Sequence, residues 1–439
     1  MTISRFFRKI NSSKRFVFTL VLIFISLTLA FTEPFFSGLA GGTFDYYTDS
    51  ESKSGNLALN AFLSGQLDFT KNTVLRFGFG LNTENLFGEN FLAKIPSLFS
   101  IDELSLTYHA NLGDLSHYVC AFAGTPEPLG SSIFLQRLFG MPDFSAKMLE
   151  TLGNPTKNAI IPLSGIGADY ILKTNHTAFG VYLYYNKIIS LIDPKNTEAV
   201  VPNLGTPLAG TSEAENDSSL SGEKKSTSLD LDLRFAAGGN YAFLDLLGGV
   251  SFPFDNQDDS GEDVILIVRK ANFHFGFNFF LGSTYMTNLL FQAGITSLEI
   301  NPDEDEQIVA LKDVYWYIEP RFVTRKFCFA IAFFNIPDEL NQNLYYIDNP
   351  FGINASIYTN NFSFNNYKTE LGCHVTASLP ETTTDIDYKL LELQVAPYVK
   401  IDIGNGTFKA VLKSEVLHIT SFKNAMMNLT FAAGYQVRL

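Results

Sequence analysis

The chain has 439 residues, a net charge of −14 at pH 7 and a hydrophobic content of 46%, with 42 Phe and 19 Tyr but one Trp. So acidic a chain is a poor partner for nucleic acid, whose phosphates attract basic surfaces. Its three cysteines, Cys120, Cys328 and Cys373, are too few and too widely spaced for a disulfide framework or a metal site. We therefore expect no cofactor and no metal.

The first segment of the chain has the pattern of an export signal. Five basic residues precede an apolar run over 16–31, and Thr28 and Ala30 occupy the −3 and −1 positions of a cleavage site. This pattern predicts a cleaved signal peptide over residues 1–30, with a retained N-terminal membrane anchor as the alternative. Since residues 1–30 hold five basic and no acidic residues, the net charge of −14 becomes −19 without them.

After this segment, apolar residues alternate with small or polar ones in one short segment after another. Such a period of two is typical of strands with one apolar and one polar face. Each segment has the length of a tilted strand that crosses a bilayer, about ten residues. The clearest examples are 57–69, 75–81, 104–112, 229–235, 273–281, 314–322, 327–333, 391–401 and 408–412.

Short and long connections alternate along the chain. Turn residues occur at 71–72, 113–114, 174–175, 238–239, 282–283, 325–326, 360–361 and 404–406. Longer connections separate them at 48–56, 84–102, 125–164, 186–227, 253–271, 298–312, 334–352, 379–388 and 417–426. We predict an all-β fold: a transmembrane antiparallel up-and-down β-barrel with short periplasmic turns and long extracellular loops. The count is about 18 strands, or 16 if 38–47 or 353–359 is not a strand.

The chain ends in a complete amphipathic strand. Apolar residues occupy every second position from Met427 to Val437, two residues before the terminal Leu439. Together with the export signal and the loop asymmetry, this strand resembles those of bacterial outer-membrane β-barrels of the porin-like type. In that family the terminal residue is most often Phe, so Leu439 departs from the pattern. The weak cleavage site resembles those of spirochaete-like exporters, and the Phe, Asn, Ile and Lys usage indicates an AT-rich genome. The resemblance implies an integral outer-membrane location and contact with outer-membrane lipids. It also implies recognition of the last strand by the barrel-assembly machinery, and leaves a homo-oligomer open.

The charged residues of the predicted strands fall mainly on the polar face, which in a barrel of this size would line a water-filled lumen. Porins of 16 to 18 strands fold their third long loop into the lumen, so 125–164 is a candidate constriction, with an outer capping loop as the alternative. In the first case Arg137 and Lys147, opposed to Glu319, would set a transverse field. The candidate pore-lining residues are Arg76, Arg137, Lys147, Arg234, Glu319, Arg321, Lys368, Glu370, Glu392 and Lys400.

Two acidic clusters, at 255–263 and 303–306, lie in long connections and would concentrate cations at the mouth. The first loosely resembles a calcium loop, but its glycine is displaced, so a solvated acidic loop is the better interpretation. The Ser/Gly/Glu/Lys-rich stretch within 186–227 is expected to be a flexible surface loop.

These features predict a porin-like channel for passive diffusion of ions and small hydrophilic solutes, with a weak preference for cations. One alternative is a transporter of hydrophobic substrates of the long-chain fatty-acid type, although the first strand begins too early for that family's N-terminal plug. A surface-exposed adhesin barrel is the other. We expect no enzyme, because there is no Gly-x-Ser-x-Gly elbow and His109, His274 and His374 stand alone on their strands.

Overall fold

The computed structural model describes residues 35–48, 55–83, 86, 99–150, 160–186, 228–256, 264–266, 271–299, 314–336, 349–380, 389–417 and 429–439. The predicted signal peptide over 1–30, the acidic cluster at 303–306 and nearly all of 186–227 lie outside these ranges. Within the described part of the chain, no helix is both long and apolar enough to cross a membrane.

The described residues form 20 strands and one short helix, and most strands have the 9 to 16 residues that the alternating segments predict. The helix, α1, is Ile133–Phe139. The strands are β1 Phe35–Thr48, β2 Gly55–Thr70, β3 Thr73–Asn82, β4 Phe99–Leu112, β5 Leu115–Gly124, β6 Gly165–Lys173, β7 Thr177–Asn186, β8 Ser228–Gly238, β9 Ala242–Asn256, β10 Val264–Leu266, β11 Asn272–Gly282, β12 Asn288–Glu299, β13 Val314–Val323, β14 Phe327–Asn335, β15 Phe351–Thr359, β16 Ser363–Phe364, β17 Tyr367–Leu379, β18 Glu392–Ile403, β19 Gly406–Glu415 and β20 Leu429–Arg438.

The strands close into a barrel. Each wall strand pairs antiparallel with the next one, and β20 pairs with β1 from Leu39↔Arg438 to Tyr46↔Phe431. Of the 20 described strands, β10 and β16 are short pieces outside this ring, so the wall has 18. The prediction of an antiparallel up-and-down barrel is confirmed. Both uncertain segments are wall strands, β1 and β15, which settles the count at 18 rather than 16.

Two connections differ from the prediction. The connection expected over 253–271 is partly strand, because β9 continues to Asn256 and β10 pairs back onto it. The turn expected at 360–361 extends further, because β16 and the start of β17 form a small hairpin around Asn365 and Asn366. These two asparagines have φ of 48° and 68°, a left-handed conformation that asparagine tolerates better than most residues. Neither change alters the ring.

The wall has an apolar outer face. Large side chains such as Phe44, Leu63, Tyr108, Val119 and Leu183 are exposed there and alternate with inward-facing polar residues. Neighbouring rings also stack on this face, as Phe36 does on Phe77 with centroids 6.3 Å apart. A continuous apolar belt of this extent fits a lipid environment better than water.

The connections sort the barrel into two rims. The turns after β2, β4, β6, β8, β11, β13, β15 and β18 lie at the short-turn rim, and the opposite ends of the strands form the long-connection rim. The connection between β5 and β6, residues 125–164, starts and ends at the long-connection rim. Its described residues, 125–150 and 160–164, are called the inserted loop below.

Candidate functional site

The inserted loop lies inside the barrel. Its apolar side chains are buried: Leu129, Phe134, Leu135 and Met148 are inaccessible to solvent. Phe144 packs between two inward-facing wall rings near the short-turn rim, with centroid distances of 6.0 Å to Phe243 and 5.0 Å to Phe280. The described part of the loop therefore enters from the long-connection rim and reaches almost to the short-turn rim.

Two glycines of the wall make room for the loop. A Cβ atom on Gly276 would lie 2.8 Å from the Leu129 side chain, and one on Gly294 would lie 3.0 Å from the Ile160 side chain. Gly276 and Gly294 face each other across β11 and β12. A larger residue at Gly276 would push the loop away from the wall, so the sequence of these two strands is adapted to a packed loop.

The first part of the inserted loop is fastened by buried guanidinium groups. Arg234 on β8 is fully buried and makes a bidentate ion pair with Asp245 on β9, with nitrogen–oxygen distances of 2.8 Å and 2.6 Å. Its third contact is a donated hydrogen bond to the Glu127 backbone oxygen at 2.6 Å, and its guanidinium carbon lies 3.8 Å from the Phe134 ring centroid. Arg234 therefore joins the wall to the loop through charge, hydrogen bonding and a cation–π contact.

Arg137 at the end of α1 makes the second fastening. Its Nη2 donates to Glu103 on β4 at 2.7 Å, and its Nη1 donates to the Pro126 backbone oxygen at 2.5 Å. Burial alone would lower the pKa of Arg137, but the carboxylates of Glu103 and Glu127 raise it. The guanidinium is thus held charged against the wall of β4.

The far part of the loop meets the opposite wall in a group of five charged residues, here called the tip cluster: Lys147, Glu150, Glu370, Lys400 and Lys409. Lys147 Nζ lies 2.7 Å from Glu370 on β17 and 3.0 Å from Glu150. Glu150 in turn lies 3.2 Å from Lys400 on β18 and 3.5 Å from Lys409 on β19. Three ammonium groups therefore surround one loop carboxylate.

The two loop residues of the tip cluster, Lys147 and Glu150, are stabilised in their charged forms by their partners. Burial alone would lower the pKa of Lys147, but the adjacent carboxylates raise it well above its usual value. Burial disfavours the Glu150 carboxylate, but the ammonium groups of Lys147, Lys409 and Lys400 hold its pKa well below its usual value. Both loop residues therefore stay ionised at neutral pH.

The expected opposition of Arg137 and Lys147 to Glu319 takes a different form. Glu319 on β13 pairs with Arg321 and accepts a hydrogen bond from the Lys147 backbone nitrogen at 3.3 Å, whereas the Lys147 side chain goes to Glu370. Arg321 donates to the Ser145 backbone oxygen at 2.6 Å. These charged residues were expected to face each other across the open lumen, but in the structure they form contacts between the inserted loop and the wall.

Of the remaining candidate residues, Arg76 lies near the Arg137–Glu103 fastening, whereas Glu392 and Lys368 lie apart from the loop's anchors. Arg76 on β3 donates to Gln66 at 3.1 Å and to Thr107 at 3.3 Å and is half-buried. Glu392, at the long-connection rim, accepts from Asn349 at 2.8 Å. Lys368 is exposed beside the β16 hairpin at the short-turn rim, outside the region where the loop meets the wall.

One arc of the lumen differs from the rest. It is formed by the four neighbouring strands β20, β1, β2 and β3 and is here called the open arc. The outward face of these strands is marked by exposed Phe44, Leu63 and Tyr435, so the residues that alternate with them face the lumen. Many inward side chains of this arc are partly exposed, although Thr43 and Ala432 are buried, whereas large inward side chains of the opposite strands, such as Tyr317, are inaccessible to solvent. Inward residues of the arc that are at least partly exposed include Gly41, Asp45, Asn60, Phe62, Ser64, Gln66, Asp68, Arg76 and Thr430. Solvent therefore reaches the lumen wall along this arc.

No protein-family model matches the chain, and no curated protein matches it in sequence. Among solved structures, a mutant Rh. blastica porin is similar, with TM-score 0.42 and 9% identity over 93% of this chain and 100% of that porin. CdiB from Acinetobacter baumannii has TM-score 0.42 and 7% identity over 92% of this chain and 60% of that protein. A structure described as "Asymmetric conductivity of engineered proteins" has TM-score 0.42 and 8% identity over 93% and 100%. Likeness at this level concerns the barrel shape and carries no argument about function.

The barrel is porin-like in architecture. Its own strand pairing and the inward course of its third long connection establish that likeness. Within the described residues of this porin-like barrel, no group of three or more His, Cys, Asp or Glu is placed to hold a metal ion. Cys120, Cys328 and Cys373 are free thiols on the wall strands β5, β14 and β17.

Sequence reasoning missed several residues that hold the loop. Asp245, the buried partner of Arg234, was detectable as the single charge within the apolar segment of β9. Tyr182, whose hydroxyl donates to Glu127 at 2.9 Å, carries no such signal, because an inward tyrosine looks the same whether it lines water or packs on a loop. Gly276 and Gly294 likewise give no sign of the side chains they accommodate.

Proposed function

We propose that this protein is a porin-like channel of the bacterial outer membrane, through which ions and small hydrophilic solutes diffuse passively. The observation that carries this proposal is the partly exposed, mostly polar open arc beside a loop that fills the rest of the lumen. A loop that leaves one polar arc accessible narrows the lumen to a passage along β20, β1, β2 and β3. This function needs no cofactor and no catalytic step.

A weak preference for cations is part of the proposal. Without residues 1–30 the net charge is −19, and the sequence has acidic clusters at 255–263 and 303–306, which lie largely outside the described residues. Fixed negative charge at a mouth raises the local cation concentration and is screened by salt. The charges that fasten the inserted loop are nearly balanced, so they add little to this bias.

The polar arc favours this function over transport of hydrophobic substrates. A path for an acyl chain would be lined by apolar side chains, whereas Asn60, Ser64, Gln66, Asp68 and Arg76 form most of the arc's middle. An adhesin barrel would need no passage, so conduction separates it from a channel.

The test is single-channel conductance of the refolded protein in a planar bilayer, with the reversal potential measured under a salt gradient. Discrete open levels with a reversal potential on the cation side, which shrinks as salt is raised, are the expected result. A folded, heat-modifiable barrel without open levels would contradict a channel. Open levels with an anion-side reversal potential would contradict only the cation preference.

A further inference from the structure

The tip cluster contains an arrangement that the barrel wall alone does not favour. Lys400 and Lys409 are direct cross-strand neighbours on β18 and β19. Like charges opposite each other on adjacent strands repel, and they are tolerated when a counter-charge lies between them. The wall supplies Glu370 beside Lys400, and the second carboxylate comes from the inserted loop.

That second carboxylate, Glu150, is held as a bound anion would be. Its Oε1 lies 3.2 Å from Lys400, and its Oε2 lies 3.0 Å from Lys147 and 3.5 Å from Lys409. These three lysines come from three different segments of the chain. Convergence of several cations on one carboxylate is how proteins recognise small acids.

The site carries surplus positive charge and is open to solvent. Three ammonium groups face two carboxylates, and the side chains of Glu150 and Lys400 are 27% and 32% exposed. In the wall, Lys409 lies opposite Gly434, which in turn lies opposite Thr43 on β1. Gly434 and Thr43 are buried, so a solute approaches the cluster through the exposed sides of Glu150 and Lys400.

We propose that Lys400 and Lys409, with Lys147, form a binding site for the carboxylate group of a small organic acid, and that the Glu150 carboxylate occupies this site in the resting barrel. An incoming carboxylate replaces Glu150 between the lysines, and the end of the inserted loop is then released from β18 and β19. The inference rests on the proposed channel function for the route by which the acid arrives.

Titration calorimetry of the detergent-refolded barrel with succinate tests the site without any need for conductance. Glu150→Gln empties the site of its internal carboxylate, so succinate should bind this variant at least about tenfold more tightly than the wild type. Glu103→Gln is the matched control, because it removes a loop–wall carboxylate at Arg137 and leaves the lysines unchanged. Adding Lys409→Gln to Glu150→Gln should abolish the gain, and succinamide should bind to none of the variants.

Equal succinate affinity in Glu150→Gln and Glu103→Gln would overturn the proposal, and so would a gain that survives Lys409→Gln. Heat-modifiable migration shows that each variant is folded. If Glu150→Gln does not fold, Glu150→Asp replaces it, because its shorter side chain draws the carboxylate back from the lysines, and a smaller gain in the same direction is expected. Bilayer recordings separate the two proposals: binding without open levels retains the site and rejects the channel, and open levels without binding do the reverse.

Discussion

The filled side of the lumen and the open arc use the same strand alternation with different inward side chains. Opposite the arc, the inward positions carry large groups such as Tyr182, Tyr317 and Arg234, which are inaccessible to solvent and pack against or beside the loop. In the arc, the inward positions carry small groups such as Gly41 and Ser64 as well as larger ones such as Gln66, and these residues stay partly exposed. The burial of inward side chains, more than their size, thus distinguishes the wall that holds the loop from the wall that faces solute.

The largest effect on stability is expected when the Arg234 side chain is removed from the filled side of the lumen. Arg234→Ala leaves Asp245 buried without its partner and removes the hydrogen bond to the loop, so we expect the free energy of unfolding to fall by about 3–5 kcal/mol. Urea titration of the refolded barrel in detergent measures this loss. Adding Asp245→Asn should restore part of the stability, because it removes the uncompensated charge. An Arg234→Ala barrel as stable as the wild type would show that this ion pair is not an anchor.

The second prediction tests the open arc directly. Ser64→Trp places a large side chain in the passage, so single-channel conductance should fall by roughly half or more. Leu63→Trp is the matched control, because Leu63 is the adjacent residue on the same strand and its side chain faces outward. Equal conductance in the two variants would mean that ions do not pass along β2.

The third prediction concerns the fastening of the loop to β4. Arg137→Ala leaves the largely buried Glu103 without its ion-pair partner, so we expect a stability loss of about 1–3 kcal/mol and a reversal potential shifted further toward cations. Arg137→Lys keeps the charge and should retain most of the selectivity. An unchanged reversal potential in Arg137→Ala would count against a role of this residue in selectivity.

The fourth prediction is a pH dependence of the loop's end. The folded-state pKa of Glu150 is depressed, so its stabilising contribution is present above the usual carboxyl value and is lost as pH falls through the folded value. The pKa of Lys147 is raised, so its contribution is lost only on the alkaline side of its usual range. The charged groups facing Glu150 are Lys147, Lys400 and Lys409, with Glu370 beside them. Conductance should therefore stay constant from about pH 8 to about pH 5 and rise only at stronger acid.

The comparison for this pH profile is Glu150→Gln, which has no carboxylate to protonate and should lack the rise at strong acid. A rise of the same size in Glu150→Gln would assign the acid response to other carboxylates.

The smallest effect is expected at Lys368, which belongs neither to the filled side of the lumen nor to the open arc. Because the side chain is exposed at the short-turn rim, Lys368→Gln should change the free energy of unfolding by less than about 0.5 kcal/mol. We also expect unchanged conductance. A clear loss of conductance would extend the passage to this rim and restore Lys368 as a pore-lining residue.

The fold could be predicted from the sequence because each of its features repeats. Alternation within strands and alternation between short and long connections recur around the whole ring, so single errors do not propagate. The errors that occurred were local: the β16 hairpin depends on two left-handed asparagines, and β10 is only three residues long. Neither gives a periodic signal.

The candidate site was less predictable, because pairing inside a lumen depends on distances that periodicity does not encode. The apolar character of the connection at 125–164 correctly suggested packing against other groups, and its charged residues do meet the wall. Which wall they meet could not be deduced: Lys147 reaches Glu370 rather than offering its side chain to Glu319. The open arc was also not predicted, although its mostly polar inward residues can be read from the sequence once the faces are assigned.

The anchoring of the inserted loop has a consequence for the order of assembly. The end of the loop is held by partners far along the chain, with separations of 172 residues for Lys147–Glu319, 223 for Lys147–Glu370 and 250 for Glu150–Lys400. Contacts between such distant residues form late, because a long stretch of chain must be ordered before they can be made. The loop must therefore lie on the inner side of a half-formed sheet before its last partners arrive. Closure of β20 onto β1 then fixes it inside, so the seam between the first and last strands also controls when the loop can be enclosed.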